Sequence, residues 1–361
     1  MKKALSVLLA VMMIAALALT GCGQNTDPQT NEEPTTRTFT DSLGREVTLP
    51  TDLTKIAISG PLAQIVVFAI APEMMVGIAN EWSQEAKDLI PGEYYSLPLL
   101  GQLYGGKGEL NLETLLQSGA QVVIDVGEQK DGMADDLNAL QEQTGIPFVH
   151  IDCYTATMGD TYRALGALLG KETEGNALAE YCDGILARTK EIAGSVEKAN
   201  LLYCLGDKGQ TVIARGSYHA EVIDLLSNNL AVVESPSSKG SGNEVDLEQI
   251  LAWNPDVILF APDSIYETVG DDAAWQNVTA IKEGNYYEVP NGPYNWMGFP
   301  PSVQRLLGMM WMAKILYPEA ADYDLYPAVA EYFKLFYHTE LTEEQFNTLT
   351  AHSVVTEKAA A

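Results

Sequence analysis

The stretch NLETLLQSGAQVVIDVG, which starts at Asn111, returns as DLEQILAWNPDVILFAP at Asp246. Leu112 aligns with Leu247, Glu113 with Glu248, Leu116 with Leu251 and Val122 with Val257. Each copy opens on an Asx residue suited to cap a helix. Each continues with apolar residues at helical spacing, breaks, and runs into β-branched residues. That order predicts a helix, a turn and a buried strand. Two such units in comparable places predict two lobes of similar build. A chain of 361 residues has room for both.

The ends of the chain carry a different message. Lys2 and Lys3 precede an apolar run from Ala4 to Leu19, which is the layout of an export signal and is too short for a comfortable membrane span. The Leu-Thr-Gly-Cys sequence that follows resembles the bacterial lipobox. The resemblance implies that residues 1–21 are removed and that Cys22 is lipidated and holds the protein on the cell membrane. Residues 22–37 are polar, contain proline and have almost nothing to bury, so they are expected to form a flexible tether. A tail covers 351–361.

The formal net charge is −28, and loss of Lys2 and Lys3 makes the mature chain more acidic still. Such a surface argues against a nucleic-acid partner, because phosphate binding needs basic groups. Besides Cys22 there are Cys153, Cys182 and Cys204. An odd number without a CxxC pair signals neither a disulfide framework nor a zinc site, and the three read as small buried hydrophobes.

Between the ends, strand and helix alternate. TFTDSLGREVTLP reads as a hairpin turning at Leu43-Gly44, KIAIS (55–59) as a strand, LAQIVVFAI as a helix, and MMVGIA and IPFVHID (146–152) as strands. From Thr157 to about Val196 the chain lacks proline and keeps helical spacing, with a possible break near Gly170. The alternation then restarts with NLLYCLG (200–206), QTVIA (210–214), the helix AEVIDLLSNN, the second repeat and NYYEVP (285–290). PPSVQRLLGMMWMAKILYP reads as a helix with proline at its start. The expected organisation is a first α/β lobe over 38–156, a connecting helix over 157–197 and a second α/β lobe over 198–350.

With its export signal, two α/β lobes and helical connector, the chain resembles the substrate-binding proteins of ABC importers in the class that carries iron–siderophore complexes, haem, cobalamin and, in some members, molybdate or tungstate. The resemblance covers roughly residues 37–349. Its most specific parts are TFTDSLGREVTLP, the two LE…PDV-type units, PPSVQRLLGMMWMAKILYPE and YFKLFYHTELTEEQ. The first repeat departs from the pattern, with Gly119-Ala120-Gln121 where the second has Asn254-Pro255-Asp256. The resemblance implies two Rossmann-like lobes joined by one long helix, with a ligand cleft between them. It also implies no catalysis and no cofactor, a monomer, an ABC permease with its ATPase as partner, and an extracytoplasmic location. Glu113 and Glu248, one per lobe, are the implied docking residues. Opposite charges on two symmetric subunits would orient the encounter, although each glutamate also suits a helix first turn.

Ligands of α/β sheets lie beyond the carboxyl ends of the strands. Loops there offer the aromatic residues Trp82, Tyr104, Tyr154, Tyr218, Tyr294 and Trp296, the cations Lys107, Arg215 and Lys239, and Ser217 and His219, with Arg305 one turn into the helix that follows. Flat walls with a few cationic donors suit a bulky anionic metal chelate, a ferric siderophore first and cobalamin or haem next. Arg215, Ser217 and Arg305 could instead hold an oxyanion such as molybdate. Trp296 either faces the cleft or anchors its own loop, and Arg215 either meets ligand or makes a structural ion pair. No H-x-H or Cys/His cluster signals direct metal capture. GQLYGGKG (101–108) approaches a phosphate loop but lacks the Ser/Thr after its lysine. An exported hydrolase without a recognisable motif and a surface adhesin are the alternatives from other classes.

Overall fold

The computed structural model describes residues 35–104, 109–237 and 239–353. The export signal, Cys22, most of the tether, Lys107 and the end of the tail lie outside the described residues. From Thr36 onward the chain forms one compact unit.

The hairpin comes first. Strands β1 (Thr36–Thr40) and β2 (Glu46–Pro50) pair antiparallel. Their turn is held by Asp41, whose carboxylate accepts from the backbone of Leu43 and Arg45 and pairs with the Arg45 guanidinium at 2.7 Å. Three parallel strands follow, β3 (Ile56–Ile58), β4 (Val122–Gly127) and β5 (Phe148–Asp152), in the order β3-β4-β5. Every residue of β4 is buried, as a strand covered on both faces requires. The helices around it are α1 (Pro61–Ile70), α2 (Leu112–Ser118) and α3 (Met133–Thr144). MMVGIA makes only isolated bridges, Ile56 to Met75 and Ile78 to Leu99.

The long helical stretch is two helices. The break falls at Gly170, which takes φ +67° and lets the chain turn back. α4 (Met158–Leu169) then packs along α5 (Glu172–Ser195), a helix of 24 residues and about 36 Å. Their approach is close: a Cβ on Gly175 would lie 2.6 Å from the Tyr162 carbonyl oxygen. α5 delivers the chain to the second sheet.

In that sheet β6 (Asn200–Leu205) is flanked by β10 (Val257–Phe260) and then β11 (Tyr286–Glu288), all parallel. Its other flank is shared. β7 (Thr211–Val212) runs antiparallel beside the carboxyl end of β6, and β8 (Asn228–Asn229) runs parallel beside its amino end. β9 (Asn243–Glu244) pairs with β7. The helices here are α6 (Glu221–Leu226), α7 (Leu247–Trp253), α8 (Arg305–Leu316), α9 (Leu325–Phe336) and α10 (Glu343–Leu349). α8 is apolar nearly all round and accordingly buried.

The repeat is structural. Asn111 caps α2 by accepting from Thr114 N–H at 3.0 Å, and Asp246 caps α7 by accepting from Gln249 N–H at 2.7 Å. Leu115 and Ile250, at matching positions, are both fully buried. Each unit feeds a strand with a parallel neighbour on both sides, β4 in the first sheet and β10 in the second. Cys153, Cys182 and Cys204 are buried free thiols.

Candidate functional site

The site is built around Arg305, the first residue of α8, whose side chain is almost wholly buried. Its Nη1 donates to Thr155 Oγ1 at 3.2 Å and to the Glu221 carboxylate, and its Nη2 donates to the Tyr218 carbonyl oxygen. The guanidinium lies 4.3 Å from the centre of the Tyr218 ring. Glu221 Oε2 also accepts from Thr155 N–H at 3.1 Å and from its hydroxyl at 2.7 Å. Tyr218 donates its hydroxyl to the Cys153 carbonyl oxygen, just past β5, and its ring meets Tyr154 edge-on. Residues of the second lobe thus close onto the carboxyl end of the first sheet.

Three polar atoms in this cluster are buried without a hydrogen-bond partner among the described residues: Arg305 Nε, His219 Nδ1 and Ser217 Oγ. Each such atom costs about 1–3 kcal/mol. Such atoms are uncommon in folded proteins. His219 stacks on Phe299 at 5.2 Å. Burial, and then the Arg305 charge, push its imidazole down to about 4, with the Gly298 backbone acting the other way. At neutral pH it is an uncharged ring with one nitrogen to offer. Glu128, beyond β4, sees the same charges: burial raises its carboxyl, while Lys130 and Arg305 offset the rise. α1 opens at Gly60-Pro61, beyond β3, with no side-chain cap, so the positive end of its dipole faces the same level of the sheet.

The structure brings together Tyr154, Ser217, Tyr218, His219 and Arg305. Tyr104 stands on the first-lobe side, with the Lys130 ammonium 5.0 Å from its ring centre and burial raising its phenol. Four of the expected residues have their polar groups engaged within the protein. Trp82 is core: its indole N–H donates to the Tyr94 carbonyl oxygen and its ring packs on Phe68. Tyr294 accepts from Gln64 Nε2 at 3.1 Å and packs on Trp82. Trp296 is fully buried and donates to the Gly292 carbonyl oxygen at 3.1 Å, so it anchors its own loop. Burying the two indoles gains more than exposing them on a wall. Arg215 spends its guanidinium on the Asn229 carbonyl oxygen and on Asn228 Oδ1, at the amino end of β6. It sits at the wrong end of the sheet because β7 runs antiparallel.

Sequence reasoning passed over several residues. Glu221 and Thr155 carry no motif. Gln64 and Gln304 are fully buried, and Gln304 accepts from the hydroxyls of Tyr332 and Tyr337 while donating to the Tyr294 carbonyl oxygen. Asp125 did leave a signal, a carboxylate in the apolar run VVIDVG. It takes the Ser59 hydroxyl on one oxygen and His150 Nδ1 on the other at 2.6 Å, while His150 Nε2 lies 3.1 Å from Asp152. The serine meets the aspartate and not the imidazole, so the trio lacks the serine–histidine contact of a nucleophilic triad.

Glu113 and Glu248 are exposed in the first turns of α2 and α7.

A sequence model of the family described as periplasmic binding protein matches residues 79–293. The molybdate-binding protein MolA of Haemophilus influenzae is 27% identical over 336 residues, which cover 84% of this chain and 91% of MolA. An ABC transporter solute binding protein from Sulfurospirillum deleyianum has a TM-score of 0.79 at 27% identity, over 87% of this chain and 99% of that one. A periplasmic solute binding protein from Veillonella parvula has a TM-score of 0.71 at 25% identity, over 88% and 98% of the two chains.

Proposed function

The chain belongs to the periplasmic binding protein family, and on that premise we propose that it captures a tetrahedral oxyanion of the molybdate class for an ABC transporter. It is an extracytoplasmic binding protein and not an enzyme. The observation that carries the choice of ligand is the cluster of unpartnered buried atoms on Arg305, His219 and Ser217. A small oxyanion needs a compact set of donors in a dry place, and Arg305, His219 and Ser217 each hold one buried polar atom without a partner among the described residues. The likeness to the molybdate-binding MolA of Haemophilus influenzae supports the same reading. A ferric siderophore, the first expectation from sequence, needs an open aromatic cleft. Two of the rings assigned to that cleft, Trp82 and Trp296, are packed into the protein's interior, and a third, Tyr294, packs against Trp82.

Cys22 is proposed as the lipid anchor, with Glu113 and Glu248 docking to the two halves of the permease. Calorimetric titration of the mature chain with molybdate, tungstate, sulfate and a ferric catecholate tests the ligand. Molybdate and tungstate should bind at micromolar levels or tighter, about −8 kcal/mol or better. Arg305→Lys should weaken them at least tenfold, because an ammonium cannot reproduce the guanidinium fork. Saturable binding of the ferric catecholate with silence from both oxyanions would return the assignment to a metal chelate.

A further inference from the structure

Arg305 already holds an anion, and it is an internal one. Glu221, the first residue of α6, sets one carboxylate oxygen, Oε2, on three donors. These are Arg305 Nη1, the Thr155 backbone N–H at 3.1 Å and the Thr155 hydroxyl at 2.7 Å. A guanidinium, a backbone amide and a hydroxyl around one oxygen are the donors that an oxyanion takes. Thr155 follows β5 of the first sheet, while Glu221 and Arg305 come from the second half of the chain, so the set is assembled where the two halves meet.

Burial decides which partner can give way. The Arg305 side chain is 1% exposed and Thr155 is buried, whereas the Glu221 side chain is 26% exposed. The guanidinium is covered elsewhere. A Cβ on Gly298 would lie 3.2 Å from Arg305 Nε, and the Tyr218 ring centre lies 4.3 Å from Arg305 Cζ. Glu221 is therefore the member of this set that solvent reaches most, and an arriving anion meets a carboxylate first. Burial raises the Glu128 carboxyl, and the charge of Glu221 adds to the rise, so two carboxylates face one cation. A further anion cannot join them on that guanidinium without strong repulsion.

We propose that Glu221 is a place-holder for one oxygen of the oxyanion: its carboxylate fills the donor set in the empty protein, and the captured anion displaces it. The inference rests on the oxyanion reading above. After the exchange Thr155 and Arg305 still share an anion, so the tie between the two halves is kept. The measured affinity is the anion's own affinity reduced by the competition from Glu221.

Calorimetric titration of molybdate into the mature chain, Glu221→Gln, Glu221→Asp and the double variant Glu221→Gln with Arg305→Gln tests the exchange. The amide keeps the shape of the competitor and removes its charge, so Glu221→Gln should bind molybdate at least tenfold tighter than the wild type. Glu221→Asp keeps the charge on a shorter arm and should fall between the two; it carries the test if the amide variant does not fold. The gain should vanish in the double variant, because both anions need the same guanidinium. A residue that only positioned Arg305 would give the opposite sign. Equal or weaker binding by a Glu221→Gln protein that still unfolds cooperatively would overturn the place-holder and leave the oxyanion reading intact. Molybdate bound by Glu221→Gln and not by the wild type would support the place-holder and overturn the oxyanion reading of the natural chain. Silence from every variant would overturn both.

Discussion

At the scale of single residues, burial decides which side chains serve the site. His219 shows this through its titration. Its folded pKa, about 4, lies below the ordinary 6.5, so the folded protein refuses a proton that the unfolded chain accepts. The resulting stability is fully present above pH 6.5 and is lost as pH falls through 4, a penalty of up to about 3 kcal/mol. The urea midpoint of the wild type should therefore drop further between pH 7 and pH 4 than that of His219→Gln. Parallel losses would show that the imidazole is not held neutral. Gln121 gives a second lesson. It replaces the aspartate of the second repeat, yet its Oε1 accepts from the backbone N–H of Thr54 and Lys55 at 2.7 and 3.0 Å. Asp256 does the corresponding work for Asn200 N–H at 3.3 Å. The departure in sequence preserves the tie to the neighbouring strand.

At the scale of elements, the helices were legible because apolar spacing and caps are local. The break at Gly170 was foreseen as a weakness, but its consequence, α4 folding back on α5, depends on small residues meeting across the pair. Gly175→Ala tests that contact. Added helix propensity favours the substitution by about 1 kcal/mol, while its Cβ would lie 2.6 Å from the Tyr162 carbonyl oxygen and 2.9 Å from Gly166 Cα. Overpacking should win, with a net loss of about 1–2 kcal/mol in denaturant unfolding and unchanged ligand affinity. A gain in stability would mean that the helices part easily. The direction of β7 was not legible. Two residues of strand say nothing about parallel or antiparallel pairing, and that direction alone moved Arg215 away from the site.

For the whole molecule, the two repeats present their exposed glutamates from equivalent helices. Reversal of both charges, Glu113→Lys with Glu248→Lys, should leave ligand affinity unaltered and abolish uptake in cells. Normal uptake would remove these residues from docking. Motion between the lobes should be modest. α5 is a stiff connection, and Glu221 ties Thr155 to Arg305 across the junction. Solution scattering with saturating ligand should show little compaction, and a large decrease in radius of gyration would contradict the rigid connection.

The sequence by itself determined the two-lobed α/β plan, the paired helix–strand units and the helical stretch between them. These follow from periodicity, caps and repetition, which neighbouring residues express without help. It also nominated His219, Tyr218, Ser217 and Tyr154 by their place after strands, and Arg305 as a cation at the start of a helix. Only the tertiary structure decided among the candidates. Aromatic rings gain most when buried, so Trp82 and Trp296 were drawn into packing that no local pattern announces. Glu221 and Thr155 came to Arg305 because distant segments meet at one guanidinium, and convergence of that kind is a property of the folded chain alone.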